Sequence, residues 1–332
     1  MRTNLRDWAM ESIADFGSSN RSLPARLFRP AYLFYEATAL TVTSRFPIGT
    51  NVFEREWDAL LILGTCRVDA MRALADEYDF ISTVESMTSV GSSSFEWMNN
   101  TFRTEYEPQI RDTTYLSQNS FVDQTFGKGG TTGKASIPFE PSRFDVVDPE
   151  DFAYIEHLWQ AEFEDSSEWA VVGEAVSRTS PRYTTERAIE TGRTRDSERM
   201  IVHYMYPHDP YVLADEKLQP RFDTALKSGT ATREEVWEAY LDNLRFVLDE
   251  VEVLLENLDR ERVAITADHG EAFGEYMFYR HPPACPIPTV RKVPWVETTG
   301  VDKNTVQPTA PPPSDTKTSA TAEERLEQLG YI

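Results

Sequence analysis

The sequence predicts an α/β fold with a mostly parallel central sheet. Three short apolar runs have the length and composition of buried strands, at residues 57–63, 200–206 and 263–266. A clear helical pattern lies between the second and third runs. A strand, a helix and a strand in that order form a right-handed crossover, which makes the two strands parallel.

The helix of that crossover begins with a capping box formed by Thr232 and Glu235. Apolar residues then recur on one face, as in a helix packed on a sheet; they are Val236, Tyr240, Leu244, Val247, Val251, Leu254 and Leu258. A second helix is predicted at residues 69–78, directly after the first strand.

The middle of the chain has weaker patterns. Residues 113–117 predict a strand and residues 149–164 a helix, which would carry His157 as a surface or packing residue. The glycine-rich residues 128–134 lack the spacing of a phosphate-binding P-loop, so we interpret them as a flexible connection.

Four regions follow from composition. Residues 1–50 predict a helical, Arg-rich lead-in, and residues 51–300 contain all three strand runs and form the main domain. Residues 301–320 are rich in Pro, Thr and Ser and predict a linker, and residues 321–332 a short final helix. In the lead-in, charges and a proline interrupt the apolar-leaning stretch 27–46, which favours packing against the domain over docking on a membrane or partner.

The chain is strongly acidic, with a formal net charge of −22. Such self-repulsion is screened at high ionic strength, so a salt-rich cytoplasm suits it, and the acidity argues against nucleic acid or anionic lipid as the main partner. Two cysteines far apart in sequence indicate a reducing compartment, and no apolar run approaches membrane-spanning length. We expect a cytoplasmic protein without a transmembrane segment.

Asp268 and His269 directly follow the strand at residues 263–266. A carboxylate and an imidazole side by side at a strand end are suitable metal ligands, and Gly270 lets the backbone turn so that both converge. The alternative is a strand that leaves the core with two solvated polar residues.

Four of the five histidines lie in candidate motifs: His203, His208, His269 and His281. Three of these, His208, His269 and His281, would lie beyond the carboxyl ends of two predicted parallel strands. Ligands bind at that edge of such sheets, so the sequence predicts a site there.

These motifs resemble the sulfatase-like branch of the alkaline phosphatase superfamily, in a form typical of halophilic archaea. The stretch 266–275 resembles the metal-binding signature, and Cys66-Arg67-x-Asp69 the turn after the first strand. Residues 89–102 resemble the nucleophile turn, and residues 207–211 the substrate-side histidine loop. The segment from His281 to residue 295 resembles the part that closes the site. The resemblance implies an α/β three-layer sandwich of the alkaline phosphatase type.

The resemblance also implies roles for single residues. Asp268 and His269 would bind a divalent cation: Mn²⁺, Zn²⁺, Mg²⁺ or Ca²⁺. Ser92, Ser93 and Ser94 are the candidate nucleophiles, with Ser93 preferred and Ser94 next, because Phe95 stands where family members have a Pro-like position. The alternative is a Ser-rich N-cap of a helix that begins near Glu96.

Two catalytic histidines and one arginine complete the implied site. His208 or His281 would donate a proton or contact the anion of the substrate. Arg67 would pair with that anion, or else form a structural salt bridge with Asp69 or another acid.

Two departures from the family pattern limit its function. Arylsulfatases need a Pro and an Arg after the nucleophile for its conversion to formylglycine, and residues 93–97 have neither. Gly64 occupies the position of a metal-ligating Asp and offers no ligand atom.

The sequence therefore leaves two functions open. One is a metal-dependent hydrolase or transferase acting on phosphate esters, less so sulfate esters, of a small molecule or glycan through a Ser nucleophile. The other is a degenerate pseudoenzyme that binds or scaffolds, with a metal site that is weak or absent.

Overall fold

A computed structural model of the chain describes residues 23–126, 136–137, 144–164, 167–172, 177–218 and 221–313, with isolated positions before residue 15. The predicted connection at 128–134 and the predicted final helix at 321–332 lie outside the described residues. So do residues 314–320 of the predicted linker.

A seven-stranded mixed sheet forms the centre of the domain. Its strands in chain order are β1 (Ala59–Leu63), β2 (Glu85–Thr88), β3 (Thr113–Ser117), β4 (Tyr154–His157), β5 (Arg199–Tyr204), β6 (Arg260–Thr266) and β7 (Lys292–Gly300). The spatial order is β2-β7-β6-β1-β5-β3-β4. The five strands from β6 to β4 are parallel, whereas β7 is antiparallel to both β6 and β2. The predicted α/β sandwich with a mostly parallel sheet is confirmed.

Helices in the described part of the chain pack against this sheet and one another. They are α1 (Leu23–Thr43), α2 (Val68–Leu74), α3 (Ser94–Thr101), α4 (Glu107–Arg111), α5 (Phe121–Phe126), α6 (Pro181–Thr194), α7 (Phe222–Ser228), α8 (Arg233–Leu255) and α9 (Pro288–Arg291). The capping box of Thr232 and Glu235 is present at the start of α8, as predicted. All seven apolar residues predicted on its inner face are buried, so α8 covers the sheet as the pattern indicates.

The helix predicted at residues 149–164 is wrong. Two short 3₁₀ turns, Pro149–Asp151 and Leu158–Gln160, flank strand β4, and His157 is the last residue of that strand. Glu156 is buried inside β4 and is paired with Arg187 at 2.7 Å. A buried ion pair, and not an apolar side chain, occupies position 156, so the sequence of β4 lacks the apolar pattern of a buried strand.

Residues 301–313 have no regular secondary structure but are hydrogen-bonded to α6. The Glu186 carboxylate accepts the N–H groups of Thr309 at 2.7 Å and Ala310 at 3.1 Å, and the Tyr183 hydroxyl donates to the Pro311 carbonyl at 3.0 Å. This described part of the predicted linker is thus held against the domain.

Helix α1 falls in the predicted helical lead-in, and Ala37 and Leu40 on it are fully buried. The helices found in the described residues are all too short or too polar to cross a membrane.

Candidate functional site

The carboxyl ends of β6, β1 and β5 lie side by side, because Thr266 pairs with Ile62 and Ile62 pairs with His203. The segments that leave these three strands therefore meet at one edge of the sheet. They carry Thr65, His208 and Asp268, and this edge is where open parallel sheets bind ligands.

The Asp268 carboxylate is the centre of a buried hydrogen-bond cluster. Its Oδ1 accepts the backbone N–H groups of Thr65 at 3.1 Å and His269 at 2.9 Å, and its Oδ2 accepts the hydroxyl of Ser94 at 2.6 Å. Burial acts to raise the pKa of Asp268, but His269, His203 and these hydrogen bonds outweigh it, so the pKa lies below its ordinary value. Asp268 is therefore a carboxylate at neutral pH.

His269 presents an acceptor nitrogen to the same cluster. Its Nδ1 lies 2.9 Å from the Gly270 carbonyl, which can only accept, so Nδ1 carries the proton. Nε2 is then a lone-pair atom, 3.3 Å from both Ser94 Oγ and Asp268 Oδ2. Burial lowers the pKa of His269, which keeps the ring neutral. Three atoms able to bind a cation thus converge on one point.

The three serines at the start of α3 have three different environments. Ser93 is the N-cap of α3, where its hydroxyl accepts the Glu96 N–H at 3.4 Å. Ser92 hydrogen-bonds to the Glu96 carboxylate and accepts the N–H of Cys285 at 2.9 Å. Of the three, Ser94 contacts Asp268 and His269, whereas Ser93, the candidate preferred from the sequence, is engaged as the N-cap.

A second cluster lies directly beside the first. His208, Glu271 and His281 are buried, and each offers one ligand atom within 4.8 Å of the others. The rings of His281 and His269 are 4.4 Å apart between centroids, and those of His281 and His208 are 5.1 Å apart. Among the described residues, this is a group that could hold a metal ion with three protein ligands.

The charge state of this cluster is set mainly by burial. Burial raises the pKa of Glu271 to about 7, although Arg280 and His269 act to lower it. Burial and the nearby charge of Arg280 together lower the pKa of His281 to about 3. His281 is therefore neutral at physiological pH. Glu271 lies inside the signature at residues 266–275 but was not predicted as a ligand, because nothing in the pattern indicates that it faces His281.

Two further residues lie at the site: His203, which was placed in a candidate motif without a role, and Thr65, which was not predicted. His203 is buried in β5, with Nδ1 2.9 Å from the Tyr115 hydroxyl and Nε2 3.8 Å from Asp268 Oδ2. Burial lowers its pKa to about 4, so it is neutral too. Thr65 has a φ of 68°, which is strained for a β-branched residue and aims its N–H at Asp268.

Arg67 lies near the site but is engaged by acids. It forms two hydrogen bonds with Asp69, at 2.9 and 2.6 Å, and one with Glu275 at 2.9 Å. Its Nη1 also donates to the Glu271 carbonyl at 3.1 Å. The structure thus shows the salt-bridge alternative, in which Arg67 supports the main chain at Glu271.

A side chain at Gly64 would be crowded by backbone atoms of the neighbouring strand. Its N–H donates to the Tyr204 carbonyl at 2.9 Å, and a Cβ there would lie 3.0 Å from the Met205 carbonyl oxygen and 3.1 Å from that of Tyr204. Since backbone atoms of a central strand cannot easily move, an aspartate at this position would push against β5.

We expect Gly64→Ala to lower the free energy of unfolding by about 1–3 kcal/mol, the usual cost of overpacking a core. Urea denaturation measures it. Gly192→Ala is the matched control, because a Cβ there meets the flexible end of Leu258. Equal stability of the Gly64→Ala protein and the native chain would contradict the crowding.

No protein-family model matches the sequence, and no curated protein matches it. The solved structures that are similar to this chain include the following three. The soluble domain of lipooligosaccharide phosphoethanolamine transferase A from Neisseria meningitidis is 16% identical, with 72% of this chain and 75% of that chain covered and a TM-score of 0.48. A protein of the alkaline phosphatase superfamily from Vibrio parahaemolyticus is 12% identical, with 82% and 69% covered and a TM-score of 0.39. A 2-O GAG sulfatase is 11% identical, with 82% and 70% covered and a TM-score of 0.41.

Proposed function

We propose that this chain is a metal-dependent hydrolase or transferase that acts on phosphate esters through Ser94. One observation carries the proposal: the Ser94 hydroxyl, at the first residue of α3, is hydrogen-bonded to Asp268 and lies 3.3 Å from the acceptor nitrogen of His269. An oxygen nucleophile needs a group that takes its proton, and both neighbours have lone pairs directed at it.

The N-terminus of α3 suits the negative charge of a phosphoryl group. Backbone N–H groups in the first turn of a helix are not used within the helix and favour anions. Ser94 lies in that turn, so attack by its hydroxyl places the phosphoryl oxygens next to these donors.

Two sets of side chains fit a divalent cation. Asp268, His269 and Ser94 would hold one ion. His208, Glu271 and His281 would hold another or contact the substrate anion. When bound, such an ion supplies positive charge to the non-bridging oxygens and favours the ionised form of the nucleophile. The neutral histidines suit Zn²⁺ in particular, because imidazole binds it well, whereas the carboxylates of Asp268 and Glu271 also suit Mn²⁺.

The residues after Ser93 support phosphate rather than sulfate as the reacting group. Ser94, Phe95, Glu96 and Trp97 provide neither the Pro nor the Arg of the arylsulfatase pattern, so an unmodified serine is the proposed nucleophile. The substrate would be a phosphorylated small molecule or glycan. The acidic surface and the buried thiols of Cys66 and Cys285 support a reducing, salt-rich cytoplasm as its setting.

Gly64 favours a second candidate function. No side chain opposes Asp268 from this position, and Oδ1 of Asp268 is occupied by two backbone N–H groups. A chain with one weak cation site could bind a phosphorylated ligand or act as a scaffold without turnover.

One assay separates the two functions. We expect the native chain in molar KCl to hydrolyse an aryl phosphate mono- or diester with at least one of Mn²⁺, Zn²⁺, Mg²⁺ or Ca²⁺, and to lose this activity in EDTA. Recovery on adding the metal back is the control for irreversible damage. Metal and phosphate binding by calorimetry without turnover would instead support the binding protein.

A further inference from the structure

The segment 282–285, which directly follows His281, is held on one side by the nucleophile turn. The Ala284 N–H donates to the Glu96 carboxylate at 2.9 Å, and the Cys285 N–H donates to Ser92 Oγ at 2.9 Å. Ala284 has a φ of 58°, so the segment is a tight turn. Its position is therefore defined by side chains and not by a helix or strand.

Helix α1 holds the same segment from the other side. The Tyr32 hydroxyl donates to the Pro283 carbonyl at 2.8 Å, and the Tyr35 hydroxyl donates to the Ala284 carbonyl at 3.0 Å. The ring of Tyr32 also packs on Phe278, with centroids 5.9 Å apart. Residues three apart lie on one face of a helix, so both phenols reach neighbouring carbonyls of the turn.

Burial shows that this face of α1 is docked on the domain. Glu36, one turn after Tyr32, is 5% exposed, and Leu40, one turn further, is fully buried. Phe34 and Val42, elsewhere on the helix, are about half exposed, at 52% and 48%. Tyr32 thus lies on the packed face of α1, and Tyr35, which is 42% exposed, lies at the edge of that face with its hydroxyl on the turn.

We propose that α1 is a positioning element of the candidate site, in which Tyr32 and Tyr35 fix the segment 282–285 and so hold His281 toward His208 and Glu271. The inference rests on the proposed function, since it assigns α1 to that metal cluster. His281 Nδ1 lies 3.2 Å from both Glu271 oxygens, and the next residues are those that α1 binds. Movement of the turn therefore moves the ring.

The test is the double variant Tyr32→Phe/Tyr35→Phe, which keeps both rings and removes both hydroxyls. We expect faster hydrogen exchange in peptides that cover residues 281–287 of the metal-free chain. The Kd for Zn²⁺ alone, from calorimetry, should rise about tenfold, as for residues that orient metal ligands. Tyr183→Phe is the matched control, because it also removes a tyrosine hydroxyl that donates to a backbone carbonyl, at Pro311. It should change neither the hydrogen exchange of residues 281–287 nor the Kd for Zn²⁺.

Unchanged exchange at residues 281–287 would overturn the inference, and so would faster exchange with an unchanged Kd for Zn²⁺. His281→Ala separates this result from failure of the proposed function. If His281→Ala weakens Zn²⁺ binding and the double variant does not, α1 has no positioning role. If His281→Ala leaves Zn²⁺ binding unchanged, or if the native chain binds no Zn²⁺, the assignment of the metal cluster is wrong. The rate of hydrogen exchange at residues 281–287 then decides alone whether α1 fixes the turn.

Discussion

Ser94→Ala is expected to reduce kcat/KM for an aryl phosphate by about 10⁴-fold or more, the scale of loss when a nucleophile is removed. Alanine removes the oxygen that bonds to Asp268 and faces His269, and no other serine of the turn takes its place. Ser93 caps α3 and Ser92 is engaged by Glu96. Steady-state kinetics with the activating metal measure the loss.

Ser93→Ala is the matched control for that experiment. It removes the N-cap of α3 and should cost about 1 kcal/mol of stability, with a loss of activity smaller than about tenfold. A thermal denaturation curve for each variant separates loss of fold from loss of chemistry. If Ser93→Ala were inactive and Ser94→Ala active, the assignment of the nucleophile would be wrong.

Asp268→Asn is expected to abolish metal binding at the first cluster and to lower kcat/KM by about 10³-fold or more. This exceeds the roughly 10–100-fold loss typical of residues that only orient a ligand. The amide oxygen of asparagine can still accept the N–H groups of Thr65 and His269. The amide NH₂ would then face Ser94 and the Nε2 lone pair of His269, where a donor replaces an anionic acceptor.

The fold should survive Asp268→Asn, because the change keeps shape and both backbone hydrogen bonds. Asp302→Asn provides the control, because Asp302 is an acid paired with Arg193 of α6 and is not part of the candidate site. Calorimetry with Mn²⁺ or Zn²⁺ and the phosphatase assay read the two variants side by side. Native metal affinity and turnover in Asp268→Asn would remove Asp268 from the site.

The parts of the fold that the sequence predicts are those where one physical signal dominates. Strands β1, β5 and β6 are buried apolar runs, and α8 combines a capping box with a continuous apolar face. Strand β4 fails this test because buried Glu156 is neutralised by Arg187, a partner that sequence order does not reveal. The antiparallel strands β2 and β7 were likewise not predicted.

Site residues that lie just after a strand could be predicted from the sequence. Site residues that are defined by the direction of their side chains could not. Asp268 and His269 follow β6 directly, so their convergence follows from the sheet. Choosing between Ser93 and Ser94 needs the first turn of α3, because one residue is about 100° of helix rotation. Glu271 is part of the second cluster only because the chain between Glu271 and His281 folds back and brings the two side chains together.

The second cluster also links ligand binding to folding. His208 follows β5, whereas Glu271 and His281 follow β6, and β1 separates these two strands in the sheet. An unfolded chain does not assemble the three ligands at one point, so a cation that needs all three binds the native state more tightly than the unfolded chain. At a concentration of 100 times its Kd, such a cation stabilises the domain by about 2.7 kcal/mol. Completion of the sheet and occupancy of the cluster are thus thermodynamically coupled.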